Sequence, residues 1–103
     1  MAVFSLHDAL QQKLLPAVTF SAAEDALPLA EAFLAAGLFV LEIPVRTAVA
    51  AEAVTIIRKA FPEIYVGAGT LLTTGQLQQA INAGAQFGLS PGFNPTISAA
   101  ANK

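Results

Sequence analysis

Apolar residues gather in four short runs along this chain: LLPAVTF (14–20), LFVLEI (38–43), IYVGA (64–68) and AQFGLS (85–90). The runs are nearly unbroken rather than alternating, the pattern of parallel strands buried on both faces. Each is followed by a helix-start signal. Ser21 with Glu24, and Thr73 with Gln76, have the spacing of a capping box. Thr47 is placed to cap a helix running through about Ala60, and Asn94–Pro95 reads as an N-cap followed by proline at the first helical position. Gly37 and Gly84 fit the left-handed position after a helix, and Pro62 follows the second one. Residues 3–13 (VFSLHDALQQK) predict a short amphipathic leading helix.

A faint repeat runs beneath this pattern. AAGLFVLEIP (35–44) and NAGAQFGLSP (82–91) both read Ala-Gly, strand, then proline, and lie 47 residues apart. Alternating strands and helices of this length imply an α/β fold with parallel strands and right-handed crossovers. Two architectures satisfy that: a doubly wound open sheet, or part of a (β/α)8 TIM barrel. A complete barrel takes about 250 residues. The 103 residues here hold a leading helix and about four βα units. A single domain is expected over 1–103; on the barrel reading, four units make half a barrel. Its first and fourth strands would be open edges that need a partner.

Composition sharpens this. Only 12% of residues are charged and 55% are hydrophobic, against about 25% charged in an average soluble domain. Extra covered surface is therefore expected, through oligomerisation or through a missing half of the same chain. A net charge of −2 with five basic residues predicts no nucleic-acid partner. Without cysteine there is no disulfide, thiol nucleophile or zinc–thiolate site. The first residues lack a signal-peptide pattern, and no apolar run approaches the ~20 residues of a membrane span. A cytoplasmic protein with no membrane partner is expected.

In parallel α/β folds, chemistry collects in the loops at the carboxyl ends of the strands. Glu42 and Arg46 fall there in the second unit, Gly67, Gly69 and Thr70 in the third, and Ser90, Pro91 and Gly92 in the fourth. Glu42 stands inside an apolar strand. It is either satisfied by backbone amides or an arginine, or it is a general base whose pKa burial has raised. In an extended chain Glu42 and Arg46 share a face but lie ~13 Å apart; a turn after Ile43–Pro44 would shorten that. Arg46 offers a planar fork for a carboxylate or phosphate, or a rim salt bridge. Thr70 is a loop hydroxyl or an anion contact. GAGT permits close backbone approach but has Leu72 where a dinucleotide fingerprint has its third glycine. Ser90-Pro91-Gly92 reads as a turn whose amides could face a substrate. His7 reads as a helix-surface residue, and Tyr65 and the phenylalanines as packing. No cluster has metal-ligand spacing, so no metal is expected.

Taken together, LEIPVRT (41–47) and VGAGTLLTTGQLQQAINAGAQFGLSPG (66–92) closely resemble the 2-keto-3-deoxy-6-phosphogluconate (KDPG) aldolase family, which includes the 4-hydroxy-2-oxoglutarate (KHG) aldolases. The resemblance runs from near LLPAVTF to about residue 100. It implies a (β/α)8 barrel, a homotrimer, and class I aldol chemistry with no cofactor. In that chemistry a lysine forms a Schiff base with a 2-keto acid, which is cleaved to pyruvate and an aldehyde. By matching position, Glu42 is the general acid/base, Arg46 and Thr70 hold the pyruvyl carboxylate, and Pro91 and Gly92 form the pocket wall. Pro44 stands where many members have threonine, and Arg46 leans toward a gluconate-type substrate.

The family's Schiff-base lysine lies on the sixth strand, and its phosphate site lies after strands seven and eight. Lys13, Lys59 and Lys103 are expected at the opposite end of the fold from the catalytic loops. The chain is thus expected to lack the nucleophile and to be inactive alone. A non-catalytic half-barrel that pairs with itself or with another half is the alternative. A nucleotide-binding open sheet resting on GAGT is a more distant one.

Overall fold

The computed structural model describes residue 7 and residues 11–102. His7 and Gln11 are helical, Gln12 and Lys13 are not, with Lys13 at a φ of 64° that ends any helix, and the rest of the expected leading helix, at 3–6 and 8–10, lies outside the described residues, as does Lys103. A 3-10 turn at Ala23–Asp25 runs into helix α1 (Ala26–Ala35). There follow β1 (Val40–Pro44), α2 (Ala50–Ala60), β2 (Tyr65–Gly69), α3 (Thr74–Ala83), β3 (Phe87–Gly88) and α4 (Pro95–Ala101). The strands form one parallel sheet in the order β1-β2-β3. Glu42 lies opposite Gly67, Pro44 opposite Gly69, and Gly67 opposite Phe87.

The strand expected over 14–20 is a single parallel bridge, Ala17 to Glu42. Its hydrogen bonds run from Val18 N to Glu42 O (2.9 Å) and from Glu42 N to Pro16 O (2.9 Å). Leu14 and Leu15 stay exposed, Lys13 sits at a φ of 64°, and Pro16 has no N–H to donate, so the ladder cannot grow toward the N-terminus. The run 85–90 likewise narrows to the two residues of β3.

The sheet alternates faces with period two. Leu41, Ile43 and Val66 turn toward the helices and join Phe20, Ala26, Ala30 and Ile64 in the main core. Helix α2 closes it with Ala50, Ala53, Val54 and Ile57, an i, i+3, i+4, i+7 stripe. A second cluster packs Ala68 and Leu71 against Leu77 and Ala80 of α3 and Ile97 of α4. Leu41, Ile43, Ile57, Ile64, Val54 and Val66 are the largest fully buried side chains, each contributing about 1.5–3 kcal/mol of burial. By the same alternation Glu42, Gly67 and Gly69 lie on the other face.

Two helix starts match expectation. Thr73 and Gln76 form a reciprocal capping box on α3, and the Asn94 side chain accepts from Thr96 N and Ile97 N ahead of Pro95. Two do not. The first helical segment is entered through the 3-10 turn from Ala22, with no side-chain cap, so the Ser21–Glu24 spacing is not used. Helix α2 begins after Val49, also uncapped by a side chain. The Thr47 hydroxyl instead donates to the carbonyl of Phe20 (2.7 Å), tying the loop after β1 to the segment that precedes α1. Gly37 and Gly84 adopt φ of 83° and 104°, as a left-handed exit requires.

Candidate active site

β1 ends at Pro44 and the chain turns at Val45–Arg46, so Glu42 and Arg46 are not on one extended strand. Val45 N donates to Gly69 O (3.0 Å), which holds this turn against the end of β2. Glu42 is 9% exposed, and its Oε2 is buried without a hydrogen-bond partner. Burial pushes its carboxyl above the usual 4.5, and the positive charge of Arg46 offsets this in part. A buried carboxylate is normally fully hydrogen-bonded. One that is unpartnered and titrates high is suited to carrying a proton back and forth.

The two glycines of β2 have occupants of their own. A methyl group on Gly69 would overlap Oε1 and Cδ of Glu42 and lie 2.7 Å from Oε2; one on Gly67 would overlap the Phe87 ring. The GAGT sequence permits a close approach to this backbone. The room is filled by two of the chain's own side chains. A strand glycine signals a close approach without saying what approaches.

Thr70 follows Gly69 directly and has a φ of 58°. That is an uncommon conformation for a β-branched residue, of the kind concentrated at functional sites. Arg46 is exposed and Thr70 half-buried. Glu42, Gly69 and Thr70 are thus brought together where β1 and β2 end, with the charge of Arg46 acting on Glu42.

Pro91 and Gly92 lie in an exposed bend after β3, where the Ser90 hydroxyl donates to Gly92 O (2.8 Å). Leu89 N donates to Ala68 O (2.9 Å) and Leu71 N to Leu89 O (3.1 Å), which fastens this loop beside the one after β2. Gly92 lines a cavity of about 260 Å³ with Leu71, Leu89, Phe93 and Ile97, and neither Glu42, Arg46 nor Thr70 lines it. Phe93 is 84% exposed, against the reading of every phenylalanine as packing. Lys59 sits in the last turn of α2 and Lys13 ahead of the Ala17 bridge, both exposed. Among the described residues no three His, Asp or Glu side chains cluster to hold a metal, and no helix is long and apolar enough to cross a membrane.

Known proteins share both the sequence and the fold. A 2-dehydro-3-deoxy-phosphogluconate aldolase of Treponema pallidum is 46% identical over 96 residues, covering 92% of this chain and 46% of its own length. The KHG/KDPG aldolase of Escherichia coli K12 is 42% identical over 88 residues, 85% of this chain and 41% of its own. A Legionella pneumophila KDPG aldolase, solved with pyruvate captured as a covalent carbinolamine intermediate, superposes with a TM-score of 0.82 at 43% identity. That match covers 86% of this chain and 43% of that one. The chain therefore spans about half the length of the relatives it matches. The family model described as KDPG and KHG aldolase matches residues 7–103, and the chain belongs to that family.

Proposed function

We propose that this chain is the N-terminal half of a (β/α)8 class I aldolase and supplies the acid/base and carboxylate-binding part of its site. The reaction is cleavage of 2-keto-3-deoxy-6-phosphogluconate to pyruvate and glyceraldehyde 3-phosphate, or of 4-hydroxy-2-oxoglutarate to pyruvate and glyoxylate. One observation carries this reading: in a chain of this family, Glu42 is a buried carboxylate with an unpartnered oxygen and an upward-shifted pKa, set in the middle of β1 with its carboxylate over Gly69 at the end of β2 and acted on by the charge of Arg46.

The Schiff base requires a lysine, and the two described lysines are poorly placed for it. Lys59 is in the last turn of α2, whose first turn follows the carboxyl end of β1, and Lys13 precedes the bridge to that strand. The nucleophile then comes from outside these residues. Protonated Glu42 gives its proton to the departing hydroxyl of the carbinolamine, which leaves as water and yields the protonated imine. The carboxylate left behind takes the proton of the C4 hydroxyl as the carbon–carbon bond breaks; C4 leaves as the aldehyde carbon, and the bond's electron pair moves into the imine to form an enamine. Glu42, protonated again, returns that proton to the enamine carbon, and water then hydrolyses the imine to release pyruvate. Arg46 and the Thr70 hydroxyl hold the pyruvyl carboxylate, Arg46 through its planar fork. Pro91 and Gly92 wall the pocket, and the family trimer covers apolar surface.

Reductive trapping tests this. The chain is incubated with pyruvate and borohydride, alone and mixed with the C-terminal half of a relative, and intact masses are read. An adduct on the added half only, with aldol cleavage restored, is the expected result. A stoichiometric adduct on Lys13, Lys59 or Lys103 of the chain alone would refute the placement of the nucleophile. The exposed Phe93 and Leu72 favour a second reading, a non-catalytic half-barrel that associates with itself. Association without cleavage in the mixture would select it.

A further inference from the structure

Glu42 reaches along its strand. Its Cα is in register with Gly67, yet its carboxylate lies over Gly69, which is in register with Pro44 two residues nearer the strand end. Strand side chains lean along the strand direction, but here a second feature sets how far. The space above Gly67, directly across from Glu42, is taken by the Phe87 ring. That ring is held edge-on to Tyr65 on the same strand face, with centroids 5.1 Å apart. The carboxylate is left with the next open position on that face, above Gly69. Both positions are open only because residues 67 and 69 carry no Cβ.

We propose that Gly69 is a positioning residue: the bare backbone of β2 at this point is the seat on which the Glu42 carboxylate is held at the end of the sheet. Gly67 fixes its height by seating the Phe87 ring one pleat below. An alanine at 69 pushes the carboxylate off the backbone and into water, away from the place where a substrate between Arg46 and Thr70 would meet it. The role in catalysis rests on the acid/base reading of Glu42 above; the seat itself does not.

The test uses the 103-residue chain without substrate, so it stands apart from the trapping experiment. The Glu42 carboxyl is titrated by NMR in the wild type and in Gly69→Ala. The expected result is a midpoint that falls back toward 4.5 in the variant, because the displaced carboxylate regains its hydration. A folded variant with an unmoved midpoint overturns the proposal. Should Gly69→Ala not fold, the urea midpoints of Glu42→Ala and of Glu42→Ala with Gly69→Ala decide. The atoms nearest the added methyl are all Glu42's, so equal midpoints are expected, and a further large loss in the double variant overturns the seat. If the seat holds and trapping fails, the aldolase reading falls alone.

Discussion

The ring of Phe87 meets that of Tyr65 edge to face, its centroid 5.1 Å away and its plane at 76°. The contact joins β3 to β2 across a strand pair only two residues long. Edge-to-face pairs add about 0.5–1.5 kcal/mol beyond area burial. Phe87→Ala would lose this and the packing over Gly67, at a cost of roughly 2 kcal/mol for a half-buried ring. Urea unfolding measures the loss; a change within a few tenths would mean that the ring is not part of the sheet's support.

Glu42 gives the fold a distinctive pH dependence. Its folded pKa lies above the unfolded 4.5, so the native state holds the proton more tightly. Stability from this group is fully present below 4.5 and is lost as pH rises from 4.5 through the raised value. Glu42→Gln removes the charge, so its stability should be flatter across that window and higher than wild type at neutral pH. Unfolding midpoints across the pH range check this, and parallel curves would show that Glu42 is not desolvated.

Arg46 lowers the Glu42 pKa that burial raises. Arg46→Ala should therefore push the Glu42 midpoint further up in a carboxyl NMR titration, while also weakening the pyruvate binding proposed for the chain paired with a C-terminal half. Arg46→Lys should keep the direction of the effect on Glu42 but lose the planar fork. A midpoint that stays put in Arg46→Ala would show that the guanidinium does not act on the carboxyl.

Thr70 pairs strain with a proposed role. At a φ of 58°, replacement by glycine should stabilise the chain by about 1 kcal/mol through relief of the left-handed penalty. The same change removes the hydroxyl proposed to hold the pyruvyl carboxylate, so stability should rise as affinity for pyruvate falls. Both quantities moving down together would argue against stored strain.

Capping separates motif from mechanism. Thr73→Ala removes a complete box on α3 and should cost about 1 kcal/mol. Ser21→Ala should cost almost nothing, since the first helical segment starts beyond it from an uncapped Ala22.

That contrast shows where sequence reasoning reaches. Thr73 and Asn94 follow loops whose extended residue falls at the cap itself, so their spacing translated into bonds. Ser21 and Thr47 precede tight turns that shift each helix start by one or two residues, which no short pattern encodes. Glu42 stood out because a carboxylate in an apolar strand demands a reason. Gly69 was equally visible, but its partner lies 27 positions away on another strand. Only the register of β1 and β2 brings the two together. Pro91 and Gly92 were legible as a bend, whereas the cavity that Gly92 lines depends on α4 folding back over Leu71.

Two glutamines close the other end of the sheet. The Gln12 side chain accepts from Phe39 N (2.6 Å) and Val40 N (3.1 Å) and donates to Val40 O (3.2 Å) where β1 begins. Gln86 accepts from Val66 N through its side chain (2.8 Å) and donates its own N–H to Val66 O (2.7 Å) near the start of β2. Side-chain amides thus act as spare backbone where β1 and β2 begin, at the end opposite the Glu42 carboxylate. Amides there should exchange with solvent slowly and together, a fixed floor beneath the loops that follow β1 and β2 at the opposite end.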